Sequence, residues 1–191
     1  MLRKMYRRML NEKAFTLLEV IISLVLIGIL AAIAGMGLVK ITEGYVFSKK
    51  NAETVQKAQI AMARIVKELG AAEKASAAAT AITTAGTNSV TYTRRESSGS
   101  TTFITNTITF SNPNITVQVG SGGTPTILID NVTDNVTGFP LAYFDAAGGT
   151  LSVPVAVPSN IRRIDIALTV IGANNQSLPS FTNNVYIQES Y

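Results

Sequence analysis

The stretch Phe15-Thr16-Leu17-Leu18-Glu19, with the twenty uncharged residues 20–39 that follow it, decides how this chain is organised. A helix rises about 1.5 Å per residue, so the uncharged run would span roughly 30 Å, the thickness of the hydrocarbon core of a bilayer. Glu19 lies at the start of that run, where a carboxylate is costly unless another group neutralises it. Glu19 is therefore a candidate functional residue, and its partner has to be identified.

The residues before this stretch are basic. Positions 1–14 hold five Lys or Arg and one Glu, so they account for the whole formal net charge of +4, and the other residues are neutral overall. Basic residues beside a membrane segment favour a cytoplasmic N-terminus, whereas a nucleic-acid-binding domain needs its basic patch on the folded part. We predict a cytoplasmic basic leader over 1–14 and a transmembrane helix over 15–39.

The sequence has no cysteine and no histidine. Disulfides and thiolate metal sites are thereby excluded, and the commonest general base and metal ligand are missing. We expect no enzyme activity, no cofactor and no metal site. Residues 130–135 are rich in oxygen ligands, but their spacing differs from that of calcium-binding loops. A polar turn is the favoured interpretation.

The segment 40–70 has the pattern of an amphipathic helix. Apolar residues recur at alternating three- and four-residue steps with one polar exception, Gln59, and no proline occurs before Pro113. Gly70 is suited to end the helix. The stripe consists of Val55, Ala58, Gln59, Met62, Ile65, Val66 and Leu69. Four charged residues between them, Lys57, Arg64, Lys67 and Glu68, are expected to face solvent.

The remainder, 71–191, is predicted to be a β-rich globular domain. Alternating and β-branched residues indicate six to eight short, mostly antiparallel strands, whereas residues 71–88 are weakly informative. The sequence Gly120-Ser121-Gly122-Gly123 predicts a hairpin connection, and residues 145–149 predict a turn. Pro154 and Pro158 restrict 151–157 to an edge strand. The predicted strands cover 90–93, 102–110, 115–119, 126–129, 141–144, 151–157, 161–171 and 185–188. The fold class is α+β, with one long N-terminal helix packed on an antiparallel sheet domain.

The basic leader, the small residue Ala14, the sequence Phe15-Thr16-Leu17-Leu18-Glu19 and the uninterrupted apolar span resemble the prepilin signal of the type IV pilin superfamily. This superfamily includes pilins of type IV pili and pseudopilins of type II secretion. The resemblance covers roughly residues 8–40, and the rest matches in architecture only. It is most like a minor pilin or a pseudopilin, a structural subunit of a fibre.

The resemblance implies how the chain is processed and where it works. A prepilin peptidase would cut between Ala14 and Phe15 and methylate the new amine of Phe15. The family usually has glycine at the position of Ala14, which implies slower processing. The implied partners are other pilin or pseudopilin subunits and an inner-membrane assembly platform. The implied location is the bacterial inner membrane, crossed once with a periplasmic C-terminal domain, and then a periplasmic or surface filament.

Physical chemistry gives Glu19 a role that does not depend on the family name. A cationic amine at Phe15 and the Glu19 carboxylate both lose hydration in an apolar environment, and each is tolerated there when paired. We expect Glu19 to bind the amine of a neighbouring subunit and thereby set the register of assembly. A contact with the amine of its own chain is the competing geometry.

Other interpretations of the same residues remain open. The leader and apolar run could be an ordinary secretory signal cleaved before Gly35, because Ala32-Ile33-Ala34 has the small-x-small pattern, and they could also be a plain membrane anchor. The chain would then be a secreted or anchored β-domain protein. A minor pilin could also bind DNA or a surface, but the pairs Arg94-Arg95 and Arg162-Arg163 in a neutral domain are weak support for a nucleic acid partner.

Overall fold

The structure, a computed structural model, describes residues 16–134 and 137–188. It has one long helix, α1 (Leu17–Gly70), followed by β-strands that form two antiparallel sheets. The predicted α+β class is confirmed. The chain divides into two compact units, one up to Val46 and one from Phe47 onward, so the boundary falls within α1.

Helix α1 begins and ends where local chemistry favours it. Its first turn is capped by Thr16, and at its end the Ala71 N–H donates to the Lys67 carbonyl oxygen at 3.1 Å. Lys67 lies in the last turn, where a cation interacts favourably with the helix dipole. The predicted stop at Gly70 is confirmed.

The first sheet contains five strands in sequential order. Each strand pairs antiparallel with the next, and register shifts occur between Ile82 and Thr84 and between Ile115 and Thr116. Gly120 has a φ of +73°, and a Cβ on Gly123 would lie 2.0 Å from the Val119 carbonyl oxygen, so the predicted glycine hairpin is confirmed and needs its glycines. The strands are β1 (Ile82–Ala85), β2 (Ser89–Arg95), β3 (Phe103–Ser111), β4 (Asn114–Val119) and β5 (Thr126–Ile129).

The second sheet has four strands in the order β7-β6-β8-β9. Its members are β6 (Leu141–Phe144), β7 (Thr150–Leu151), β8 (Arg163–Leu168) and β9 (Phe181–Tyr186). The predicted edge strand 151–157 was largely wrong: only Leu151 lies in a strand, the two-residue edge strand β7, and residues 152–157 form no strand. The turn before it is built on Asp145, whose Oδ1 accepts hydrogen bonds from the N–H groups of Ala147 and Gly149.

The hydrophobic core of the second unit lies between the C-terminal part of α1 and the inner faces of the sheets. The helix contributes buried residues along one stripe, and both sheets contribute alternate positions. The predicted stripe is confirmed, except that Gln59 is exposed and Ala61 joins it. The buried helix residues are Ala58, Ala61, Met62, Ile65 and Leu69.

Three other predictions about this unit were wrong. The described residues form nine strands rather than six to eight, because β1 lies in the Ala- and Thr-rich segment that has little alternation. The last strand begins at Phe181 and not at the predicted residue 185. Polar Thr182, Asn183 and Asn184 belong to it because they pair with β8 through their backbones. Glu68 does not face solvent: its side chain is 18% exposed, because it accepts a hydrogen bond from the Tyr92 hydroxyl at 2.9 Å and lies 3.4 Å from Arg94 Nε.

Candidate functional site at the start of the long helix

The first turn of α1 is closed by Thr16. The Glu19 N–H lies 3.3 Å from Thr16 Oγ1 and 3.0 Å from the Thr16 carbonyl oxygen, which also accepts from the Val20 N–H at 3.2 Å. Thr16 is therefore the N-cap and Glu19 the third helical residue. Threonine and glutamate at this spacing are the sequence signature of a capping box. Glu19 therefore has a helix-capping position in addition to the predicted assembly role, and the spacing of Thr16 and Glu19 is the signal that indicates it.

The carboxylate of Glu19 is exposed, and within residues 16–134 and 137–188 no hydrogen bond or ion pair engages it. Its position in the first turn is favourable, because the N-terminal end of a helix dipole is positive. Its neighbours are apolar, with Leu17 81% and Leu18 66% exposed. Among the described residues, the site thus presents one unpaired carboxylate on an apolar surface. Ala14 and Phe15 lie outside the described residues.

The helix surface beyond Glu19 is apolar on all sides. Every residue from 17 to 50 is exposed, and the segment is long and apolar enough to cross a membrane. An apolar surface of this extent in a soluble monomer would be an aggregation liability, so it indicates burial in lipid or against other chains. The first charges after the span are Lys40 and Glu43, which pair at 2.8 Å.

Three glycines interrupt the apolar span without breaking the helix. A Cβ built on Gly28, Gly35 or Gly37 would have no neighbour within 4 Å. Contacts within the chain therefore do not require glycine at these positions, although glycine costs up to about 1 kcal/mol in a helix relative to alanine.

A family model for the prokaryotic N-terminal methylation motif matches residues 9–35. The chain carries the type IV pilin prepilin signature. The resemblance found in the sequence is confirmed, and the signature supports a pilin- or pseudopilin-like precursor. Proteins that carry this motif are typically structural. It covers Ala14, Phe15 and Glu19 but leaves 36–191 outside the match. No curated protein sequence matches the chain.

The arginine pairs of the unit from Phe47 onward, which we call the β-unit, have partners within the chain. Arg95 donates to both carboxylate oxygens of Glu73, and Arg163 donates to both oxygens of Asp165. Arg162 donates to the carbonyl oxygens of Ser159 and Ile161. These contacts use the basic groups that a nucleic acid would have needed.

The pKa values of Glu73, Tyr92 and Tyr143 in the β-unit differ from their ordinary values. Hydrogen bonds from Arg95 hold the pKa of the Glu73 carboxyl below its ordinary value. Burial raises the pKa of the Tyr92 hydroxyl well above 10.0, and its hydrogen bond to Glu68 acts in the same direction. Burial alone raises the pKa of Tyr143, which donates to the Gly86 carbonyl oxygen at 2.9 Å. All three groups join separate segments of the fold.

The oxygen-rich segment 130–135 lies only partly within the described residues, since 135 is outside them. Asp130 lies 3.6 Å from Lys57 Nζ, and Asn131 has a φ of +57°, as in a turn. In the part of the chain that the structure describes, no group of three or more acidic side chains is placed to hold a metal ion.

Proposed function

We propose that this chain is a minor subunit of a type IV pilus or of a type II secretion pseudopilus. A prepilin peptidase cuts it between Ala14 and Phe15 and methylates the Phe15 amine, and the chain then enters a fibre through α1. The observation that supports this proposal most strongly is the exposed Glu19 carboxylate in the first turn of an apolar helix. It has no partner among the described residues. The prepilin signature at 9–35 supports the same proposal.

The electrostatic argument explains why a neighbouring chain is the partner. Cleavage would make the amine of Phe15, the residue before Thr16 in the sequence, the N-terminal cation of the chain, and a cation close to the N-terminus of a helix is unfavourable. Glu19 carries the opposite charge in the first turn. A carboxylate within a membrane segment costs about 2.5–3.5 kcal/mol at the bilayer centre. A salt bridge between Glu19 of one subunit and the amine of the next relieves both charges and fixes one axial register.

The apolar span and the basic residues before it support a location for the chain. The helix leaves a single-pass position in the inner membrane, with the β-unit on the periplasmic side, and buries its apolar surface against other helices. The assembly platform moves the subunits, and the chain itself acts as a structural element and not as an enzyme.

Replacing Glu19 tests the proposal. Glu19→Val should still insert in the membrane and lose its leader, but its amount in the sheared fibre fraction should fall strongly. Glu43→Val is the matched control, because it removes an exposed carboxylate from the same helix outside the apolar span. Equal incorporation of both variants would overturn the role of Glu19.

Mass spectrometry of the mature N-terminus tests the processing step. A chain that begins with methylated Phe15 supports the proposal. A chain that begins at Gly35 identifies ordinary signal-peptidase cleavage, and the fibre function would then be wrong.

A further inference from the structure

The outer face of the second sheet combines exposed aromatic, planar polar and small side chains. Strands β6, β8 and β9 are paired so that two rows of outward-facing residues run across the sheet. One row consists of Phe144, Arg163 and Tyr186, and the other of Ala142, Asp165 and Asn184. We call these six residues the outer platform.

A shallow depression lies beside the aromatic row. Its small residues are Ala142 on β6 and Ala167 on β8, between the larger Pro140, Asp165 and Asn184. The depression has a volume of about 510 Å³, within the roughly 300–1,000 Å³ of small-molecule sites. Thr182 and Asn183 complete its polar rim.

The charges of the outer platform cancel one another. Arg163 donates to Asp165 through Nε at 2.8 Å and through Nη2 at 3.3 Å, and its guanidinium lies 4.0 Å from the centre of the Phe144 ring. Two hydrogen bonds and the ring hold the guanidinium in one orientation. The surface is therefore polar, ordered and neutral. A polyanion finds no net positive charge here, whereas an uncharged ligand meets fixed donors and acceptors.

Tyr186 supplies an accessible apolar plane. It lies directly across the β8–β9 pair from Arg163, and 65% of its surface is exposed. Exposed aromatic side chains with a polar tip are typical of binding surfaces, because one end is apolar and the other forms hydrogen bonds. Next to it, the Asn184 amide and the Asp165 carboxylate offer both donor and acceptor atoms.

We propose that the outer platform binds a neutral oligosaccharide. A sugar ring has a face of C–H groups, which packs on an aromatic ring, and a rim of hydroxyls, which both donate and accept hydrogen bonds. Tyr186 matches the face, and Asp165, Asn184 and Thr182 match the rim. The neutral Arg163–Asp165 pair favours an uncharged sugar over a nucleic acid. This inference goes beyond the proposed fibre function and requires neither processing nor assembly.

Titration of the full chain with three neutral hexasaccharides, chitohexaose, cellohexaose and maltohexaose, tests the proposal. The chain is kept in a zwitterionic detergent without a sugar headgroup, and binding is followed by calorimetry and by the side-chain amide signals of Asn183 and Asn184. At least one hexasaccharide should bind below about 10 mM and shift both amides. Tyr186→Ala should weaken that binding about tenfold, and Tyr186→Phe should retain it.

Tyr45→Ala is the matched control, since Tyr45 is a 69%-exposed tyrosine outside the platform, and it should bind like the wild type. Circular dichroism shows whether each variant is folded. Failure of all three sugars to bind overturns the proposal, as does binding that Tyr186→Ala leaves unchanged. Binding of an oligothymidylate instead, weakened by salt, would identify the surface as a nucleic acid site. The fibre experiment is independent of each of these outcomes.

Discussion

Arg95 donates three hydrogen bonds to the two carboxylate oxygens of Glu73, at 2.8, 2.9 and 3.0 Å. Glu73 lies three residues beyond the end of α1, and its backbone N–H also donates to the Thr93 carbonyl oxygen at 2.8 Å. The guanidinium and this backbone hydrogen bond together attach the segment that follows α1 to strand β2. The attachment depends on an ionised carboxylate.

Acid should therefore weaken the fold through Glu73. The pKa of this group in the folded state lies below its unfolded value of 4.5. Its contribution to stability is fully present above pH 4.5 and is lost as the pH falls through the lowered folded pKa. We expect urea unfolding of the detergent-solubilised chain to show a smaller loss of stability on acidification for Glu73→Gln than for the wild type. Glu53→Gln, which removes an exposed carboxylate 3.9 Å from Lys49, should keep the wild-type dependence.

Alkali should weaken the fold through the two buried tyrosines. The folded-state pKa values of Tyr92 and Tyr143 are raised above the unfolded value of 10.0. Their contribution is fully present below pH 10.0 and is lost as the pH rises through the folded pKa values. The double variant Tyr92→Phe/Tyr143→Phe should lose less stability above pH 10.0 than the wild type in urea unfolding. The exposed Tyr45→Phe serves as control, and an unchanged slope in the double variant would contradict the prediction.

The contact between the helix and the sheets should be sensitive to cavities. Ile65 is fully buried at 0% exposure, whereas Ile60, five residues earlier on the same helix, is 63% exposed. We expect Ile65→Ala to reduce the free energy of unfolding by about 2–5 kcal/mol, and Ile60→Ala to change it by no more than about 0.5 kcal/mol. Similar losses for both variants in urea unfolding would show that this face of α1 is not packed as described.

The N-cap should stabilise the first turn of α1. Thr16→Ala removes the oxygen beside the Glu19 N–H, which costs about 1 kcal/mol at a typical cap. Amide exchange of Glu19 and Val20 should become faster by about fivefold, and Thr16→Ser should restore protection. Thr42→Ala is the matched control, because Thr42 Oγ1 donates to the Leu38 carbonyl oxygen within the helix and caps nothing. Unchanged exchange in Thr16→Ala would exclude the cap.

The sequence predicts the helix and the signature because both rest on local chemistry. The uncharged run, the periodic stripe and Gly70 each act within a few residues, and the structure has the helix end where they indicate. Strand β1 could not be predicted in the same way, since it is defined by pairing with β2 and not by its own alternation. The tertiary structure also determines the low exposure of Glu68, because its partners Tyr92 and Arg94 are more than twenty residues away in the sequence.

For the functional surfaces, too, local features could be predicted from the sequence and features that depend on strand pairing could not. The chemistry of Glu19 follows from its position beside an apolar run, and the Thr16 cap could have been recognised from the spacing of threonine and glutamate. The outer platform could not have been recognised, because Phe144, Arg163 and Tyr186 come from three strands that the sheet brings together. Only the register of those strands places the three side chains in one row.

The glycines of the apolar span have a mechanical consequence. A Cβ at Gly28, Gly35 or Gly37 would lie within 4 Å of no neighbour among the described residues, and alanine would strengthen the helix by up to about 1 kcal/mol at each site. From helix propensity alone, we expect the stretch 28–37, which holds all three glycines, to unwind more easily than the apolar residues before it. If the proposed fibre carries tension along this helix, we expect unwinding to begin at these glycines.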